Sequence, residues 1–265
     1  MTGNKRRGIV IQERDRRLLR ELAVLRVVDR EQAKIVGGFG STTRVNARLL
    51  ALVRAGLLRR FFLGTGAGGT KALYTLSAKG ALLVDAPARG PKRRNDEMLT
   101  ADFFIQHQLT VNEMYCALKY GALPPGVSFR RSLSFFAPVV PGLRLIPDGY
   151  VELETPRGIV AAFLEVDLGH ERGPVWNKKI ENYLRLAITV VPEGSAFHRP
   201  FRVLVIAPTE RRLVSIRNAA AAKTEKIFWF ASLEAIRRDG LFAAIWLRPK
   251  GDTREPLIEE PKELS

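Results

Sequence analysis

The 265-residue chain has a single cysteine, Cys116, so no intrachain disulfide can staple it and no cysteine-based zinc site can form within one chain. Histidine is almost as scarce, and His107, His170 and His198 are too scattered to suggest a metal site. Long apolar runs are missing too. None approaches the roughly 18 residues that a bilayer-spanning helix needs, and Lys5-Arg6-Arg7 leads through Gly8-Ile9-Val10-Ile11 straight into Glu13-Arg14-Asp15-Arg16 rather than into a leader's apolar segment. These absences predict a cytoplasmic protein that engages no membrane. Residues 1–95 are also short of acid, with 6 Asp/Glu against 21 Lys/Arg, whereas residues 96–265 carry 21 acidic and 22 basic side chains. Nearly all of the net charge of +16 therefore lies in the first third. Local cationic excess is the footprint of a surface that neutralises phosphates and releases their counterions. A generally adhesive basic surface is the competing reading.

What is present is enough to fold. Hydrophobic residues make up 46% of the chain, which excludes global disorder. Its length suits two domains. The expected organisation is a DNA-binding domain over residues 10–85, a basic linker over 86–98, an α/β domain over 99–250 and a loosely ordered tail over 251–265.

Leu18, Leu19, Leu22, Leu25 and Val28 recur at helical spacing and predict a first helix from Glu13. Asp29 suits the N-cap of a second helix through Val36, stopped by Gly37-Gly38 and followed by a turn at Gly40. Ser41 or Thr42 then caps a third helix with Val45, Leu49, Leu52 and Val53 on one face. Two helices around a glycine-containing turn form the helix-turn-helix arrangement, whose second helix enters a major groove. Thr42, Thr43, Arg44, Asn46 and Arg48 are the expected DNA contacts on that helix, and Ala47, Ala51 and Ala55 keep its flank slim. Arg59 to Leu63 and Ala72 to Leu76 read as strands around a glycine-rich loop, a wing that would bring Arg59, Arg60 and Lys71 to the sugar-phosphate backbone. Gly64-Thr65-Gly66-Ala67-Gly68-Gly69 fits a dinucleotide-binding glycine pattern literally, but a strand rather than a helix is expected after it. Ser77 caps a further helix with Lys79. The linker's basic cluster, Lys92-Arg93-Arg94, suits either an arm on phosphates or plain solubility.

Beyond the linker a helix is expected over Thr100 to Tyr120, and strands over Val127 to Phe136, Leu143 to Ile146, Gly149 to Leu153 and Ile159 to Val166. Helices over Val175 to Val191, Glu210 to Ala222 and Leu233 to Arg238 alternate with strands over Phe201 to Ile206 and Lys226 to Phe230. That alternation predicts an α/β sheet with some parallel pairing, and α+β for the whole chain. Period-two geometry sets Glu165 and Asp167 on one face, and hairpin pairing brings Asp148 within reach. Three converging carboxylates suit Mg²⁺ or Mn²⁺, which would polarise a phosphodiester and activate water. The pattern resembles the PD-(D/E)XK nuclease core, the restriction-endonuclease-like mixed sheet flanked by helices. That core wants a lysine where Asp167 stands, and Lys178 or Lys179 on the next helix would have to supply the cation. Asp148, Glu165, Asp167 and Lys179 are the candidate catalytic set, the first three as metal ligands. The same acids also suit a purely structural use, bound to neighbouring backbone and arginine groups.

The order of parts carries a further likeness: a winged helix, a linker, Phe104-Ile105-Gln106-His107-Gln108-Leu109, then Pro147-Asp148-Gly149, Leu164-Glu165-Val166-Asp167-Leu168-Gly169 and Lys179-Ile180-Glu181-Asn182-Tyr183. Over roughly Glu13 to Trp246 the chain resembles the replication-relaxation family of plasmids and integrative mobile elements. The resemblance implies double-stranded DNA binding in plasmid replication or relaxation, with a nuclease-like second domain whose acidic positions are Asp148, Glu165 and Asp167 and whose following helix carries Lys179 and Tyr183. His170-Glu171 departs from the small hydroxyl residue and acid expected there. Three functions stay open: a DNA-binding protein working with replication or conjugation proteins, as monomer or homodimer; a metal-dependent DNA nickase; and a winged-helix regulator.

Overall fold

The starts of the first three helices are set by side chains that satisfy otherwise unpaired backbone N–H groups. The computed structural model describes residues 9–64, 68–89, 98–169, 171, 173–189 and 199–259. In α1 (Glu13–Leu25) the Asp15 carboxylate accepts from the Gln12 N–H at 2.7 Å, and Leu18, Leu19, Leu22 and Leu25 are buried along one stripe. Asp29 caps α2 (Arg30–Gly37) by accepting from the Gln32 N–H at 2.8 Å. The helix ends at Gly38, whose φ of +65° an L side chain rarely adopts. Ser41 caps α3 (Thr42–Arg54), which buries Val45, Leu49 and Leu52.

After α3, β2 (Leu58–Gly64) and β3 (Thr70–Leu76) pair antiparallel. A two-residue strand not expected from the sequence, β1 (Val28–Asp29), adds on the other side of β3, so the sheet order is β1-β3-β2. Ser77 caps α4 (Ala78–Leu83), and Gly80 is required where it sits, since a Cβ there would lie 2.1 Å from the Leu57 carbonyl oxygen. Then α5 runs from Met98 to Tyr120. The chain divides into two compact units, Met1–Cys116 and Ala117–Ser265, so the division falls within α5. In the first unit Ile105 of α5 packs with Val27, Leu63 and Leu73. Asn112 donates to the carbonyls of Leu25 at 3.1 Å and Val27 at 2.6 Å.

The second unit is built on a five-stranded sheet of order β4-β5-β6-β7-β8: β4 (Ser128–Leu133), β5 (Gly149–Thr155), β6 (Gly158–Val166), β7 (Phe201–Ala207) and β8 (Phe228–Ser232). Strand β5 pairs antiparallel with both β4 and β6, while β6, β7 and β8 are parallel. The parallel half needs crossovers, supplied by α6 (Gly173–Ile188) and α7 (Glu210–Ala221). A last helix, α8 (Leu233–Asp239), is capped by Ser232. Inner strand β7 is apolar throughout save for Arg202, as a strand covered on both faces must be. Phe163, Trp176, Ile180, Tyr183, Phe201 and Phe228 dominate the core, with Phe163 edge-on to Phe201 at 4.9 Å. Each such fully buried large side chain contributes about 1.5–3 kcal/mol.

The molecule is α+β, with a mixed sheet and a small antiparallel one. Leu143 to Ile146, expected as a strand, is not one. The apolar alternation is genuine, since Leu143 and Leu145 are buried, but a turn at Gly142 (φ +80°) folds the segment back so that the Val139 N–H donates to the Leu145 carbonyl. The neighbouring edges of β5 are already taken by β4 and β6. Among the described residues no helix is long and apolar enough to cross a membrane. The glycine tip at 65–67, the cluster Lys92-Arg93-Arg94, His170, His198 and the tail from 260 lie outside the described residues.

Candidate functional site

Two groups of side chains carry chemistry, one in each unit. In the first, α3 presents Thr43, Arg44, Asn46 and Ala47 to solvent, with Thr42 half-buried at its start. Asn46 also lines a cleft with Asp29, Arg30, Thr70, Lys71 and Tyr74, so the exposed edge of α3 faces β3. On β2, adjacent Arg59 and Arg60 point to opposite faces of the hairpin, and the Arg60 guanidinium lies 5.3 Å from the centre of the exposed Phe62 ring. Arg16, Lys34, Arg44, Arg54 and Arg59 form no ion pair among the described residues. Arg48 differs. Its guanidinium is held by both oxygens of fully buried Asp15 and donates to the Val10 carbonyl at 2.6 Å. Lys71 is drawn to Asp29, 2.5 Å from Oδ2. Thus Arg44 and Arg59 are open to a ligand, and Arg48 and Lys71 are engaged within the protein.

The second group gathers where β6 ends. Glu165 is fully buried and points to α6, whose Trp176, Lys179, Ile180 and Tyr183 share one face by their spacing. Lys179 Nζ lies 2.8 Å from Glu165 Oε2, and the Tyr183 hydroxyl donates to Oε1 at 2.6 Å. The same Nζ lies 2.8 Å from Glu171 Oε1. Asp148 stands just before β5, where pairing of Gly149 with Leu164 sets it beside β6 and its Oδ2 accepts from the Val166 N–H at 2.7 Å. Asp167 follows β6 and is fully buried. It accepts from the Gly169 N–H at 2.5 Å, from the Trp176 indole, and from Arg212 of α7 at 2.6 Å.

Burial pushes the Glu165 carboxyl up to about 7; Lys179 pulls it down and the charge of Asp148 adds to the rise. For Lys179, burial works against the ammonium, but Glu165, Asp148 and Glu171 outweigh it and hold the group above the usual lysine value. Burial, then the charge of Glu165, pushes the Tyr183 phenol well above its ordinary value, so it serves as a donor. The structure thus brings Asp148, Glu165 and Lys179 together, with Asp167 on the α7 side of the same strand end.

A family model described as Replication-relaxation matches residues 19–195, two thirds of the chain. The chain belongs to the replication-relaxation family. No curated protein and no solved structure matches it. The replication-relaxation match takes in the α2–α3 pair, the hairpin, the strand-end acids and Lys179, and ends short of Arg212.

Whether the acids fit a divalent cation is a question about their oxygens. Both Glu165 oxygens face donors of α6, both Asp167 oxygens face donors of their own, and one Asp148 oxygen is spent on the backbone. Among the described residues no group of three or more His, Cys, Asp or Glu side chains is disposed to hold a metal ion. A hard cation wants several free oxygens at close to 2 Å, and this arrangement does not fit one.

Sequence reasoning missed Arg212, Trp176 and the Asp15 partner of Arg48. Trp176 was legible from the spacing of Trp176, Ile180 and Tyr183. Arg212 had no local signal, because it meets Asp167 only through the fold. A second buried acid, Glu152, was also missed. Its carboxylate is held by Arg131 at 2.6 Å, the Tyr150 hydroxyl at 2.8 Å and Arg130 at 3.3 Å, and it belongs to the β4–β5 scaffold.

Proposed function

We propose that this replication-relaxation protein binds double-stranded DNA of a plasmid or integrative element and acts in replication initiation or DNA relaxation. Its α2–α3 pair serves as a helix-turn-helix and its β2–β3 hairpin as the wing. The observation that carries this reading is the location of the charge: residues 1–95 hold 21 basic and 6 acidic side chains, and Arg44 and Arg59 carry charges that no acid among the described residues offsets. Unpaired surface cations gain little from folding and much from phosphate contact, because each contact releases counterions. On this reading the nuclease-like second unit holds DNA or meets the proteins of a replication or conjugation complex, a second copy of the chain included.

Fluorescence anisotropy on a labelled duplex tests it, with the full-length chain at several salt concentrations. Expected are tight binding that weakens steeply with salt and a clear loss in Arg44→Ala. Salt-independent binding, or none, would set the reading aside.

The alternative reading, a metal-dependent nickase, has in its favour that Asp148, Glu165 and Asp167 gather at one strand end beside Lys179, and against it that the Glu165 and Asp167 oxygens are already engaged by protein donors. Mn²⁺-dependent nicking of supercoiled plasmid, abolished by Glu165→Gln while duplex binding persists, would establish it.

A further inference from the structure

The poor fit of the strand-end acids to a metal has a positive counterpart. We propose that Lys179 is the resident cation of the second unit's acidic cluster, filling with its ammonium the place that a divalent ion would take. The inference does not rest on the DNA-binding reading. Three observations carry it. Nζ lies 2.8 Å from Glu165 Oε2 and 2.8 Å from Glu171 Oε1, so one ammonium bridges carboxylates from β6 and from the loop before α6. Its position is fixed: the Lys179 side chain is 22% exposed, and Nζ also lies 5.1 Å from the Trp176 ring centre. The remaining donors close the cluster from other sides, Tyr183 on Glu165 Oε1 and the Val166 N–H on Asp148 Oδ2.

An ammonium is a compact point charge with three donors, and here two of its bonds tie the β6 end to the α6 entrance. A divalent ion entering the same space would meet that positive charge at contact distance and would have to displace it. The chemical consequence is specific. The cluster binds Lys179 instead of Mg²⁺ or Mn²⁺, and it becomes a divalent-cation site when the ammonium is removed.

Lys179→Met keeps most of the stem and removes the charge. Mn²⁺ titration of the full-length chain, followed by calorimetry and by the electron paramagnetic resonance of free Mn²⁺, is expected to show no Glu165-dependent uptake in the wild type. Lys179→Met is expected to take up one Mn²⁺ at least tenfold more tightly, and Glu165→Gln/Lys179→Met to lose it. A wild-type protein that takes up one Mn²⁺, lost in Glu165→Gln, overturns the proposal. So does a folded Lys179→Met protein with no gain. If Lys179→Met does not fold without metal, the double variant must recover folding, because removing one carboxylate relieves the repulsion that the lysine offset. A double variant no more stable than Lys179→Met also overturns it. Duplex binding by the first unit is unaffected by any of these outcomes, so the two readings fail separately.

Discussion

Arg48 of α3 grips Asp15 of α1 through both carboxylate oxygens, Nε at 2.7 Å from Oδ1, and the acid it holds is fully buried. One carboxylate thereby does two jobs, since Asp15 also accepts from the Gln12 N–H at the start of α1. The pair locks the helix proposed to enter the groove onto the helix that supports it. Arg48 thus ties α3 to α1 and is engaged within the protein.

Arg48→Ala leaves Asp15 buried without its charge partner, a change that costs on the order of 3–5 kcal/mol in such pairs. Urea denaturation should show that loss directly. Asp15→Asn with Arg48→Ala should recover part of it, because the uncompensated charge is gone. A neutral effect of Arg48→Ala on stability would mean that the guanidinium is free in solution.

Arg44 and Arg59 should behave in the opposite way. Neither makes an ion pair among the described residues, so substitution by Ala should leave the unfolding midpoint unchanged. Duplex affinity should fall by about 1–3 kcal/mol where the arginine reads a base edge. Where it meets only phosphate, the slope of log affinity against log salt should drop by about 1. Anisotropy at four or five salt concentrations separates the two cases.

The contrast between Arg48 and Arg44 also shows where sequence reasoning stops. Both sit on the polar side of α3, and helical period alone cannot tell an arginine that meets solvent from one that meets an acid of another helix. The elements themselves were legible because their signals are local: Asp29, Ser41 and Ser77 each cap the helix that their position suggested. The gathering of Asp148 with Glu165 was legible from hairpin pairing, a short-range consequence of β5 and β6. What escaped depends on long-range packing: β1 is only two residues long and becomes a strand by pairing with β3, and Arg212 reaches Asp167 across a crossover. Even Leu143 to Ile146 failed as a strand for want of an open sheet edge, not for want of alternation.

Glu165 should give stability a pH dependence of unusual sign for a carboxylate. Burial raises its folded value to about 7 from an ordinary 4.5, so between those values the folded chain binds more protons at this group than the unfolded chain does. Its contribution is complete below about pH 4.5 and is lost as pH rises through about 7. The slope reaches at most about 1.4 kcal/mol per pH unit. Unfolding free energies from pH 4.5 to 8 should therefore fall more steeply for the wild type than for Glu165→Gln. Parallel curves would place the carboxyl at its ordinary value.

The first part of α5 should belong energetically to the first unit. Ile105 is buried with Val27, Leu63 and Leu73, and Asn112 donates to the carbonyls of Leu25 and Val27, two groups at the end of α1 that have run out of helix. Gln32 donates to the Leu109 carbonyl at 2.7 Å, and the Tyr115 hydroxyl to Glu21 at 2.7 Å. Losing one buried isoleucine contact costs about 1.5–3 kcal/mol, and each hydrogen bond adds about 0.5–1.5 kcal/mol. A fragment of residues 1–116 should therefore unfold cooperatively at a clearly higher urea concentration than a fragment of residues 1–97. Asn112→Ala in the longer fragment should close part of that gap, since it removes both side-chain bonds to those carbonyls without removing the helix. Coincident midpoints for the two fragments would show that α5 adds nothing to the first unit's stability, and the boundary at Cys116 would then carry no energetic meaning.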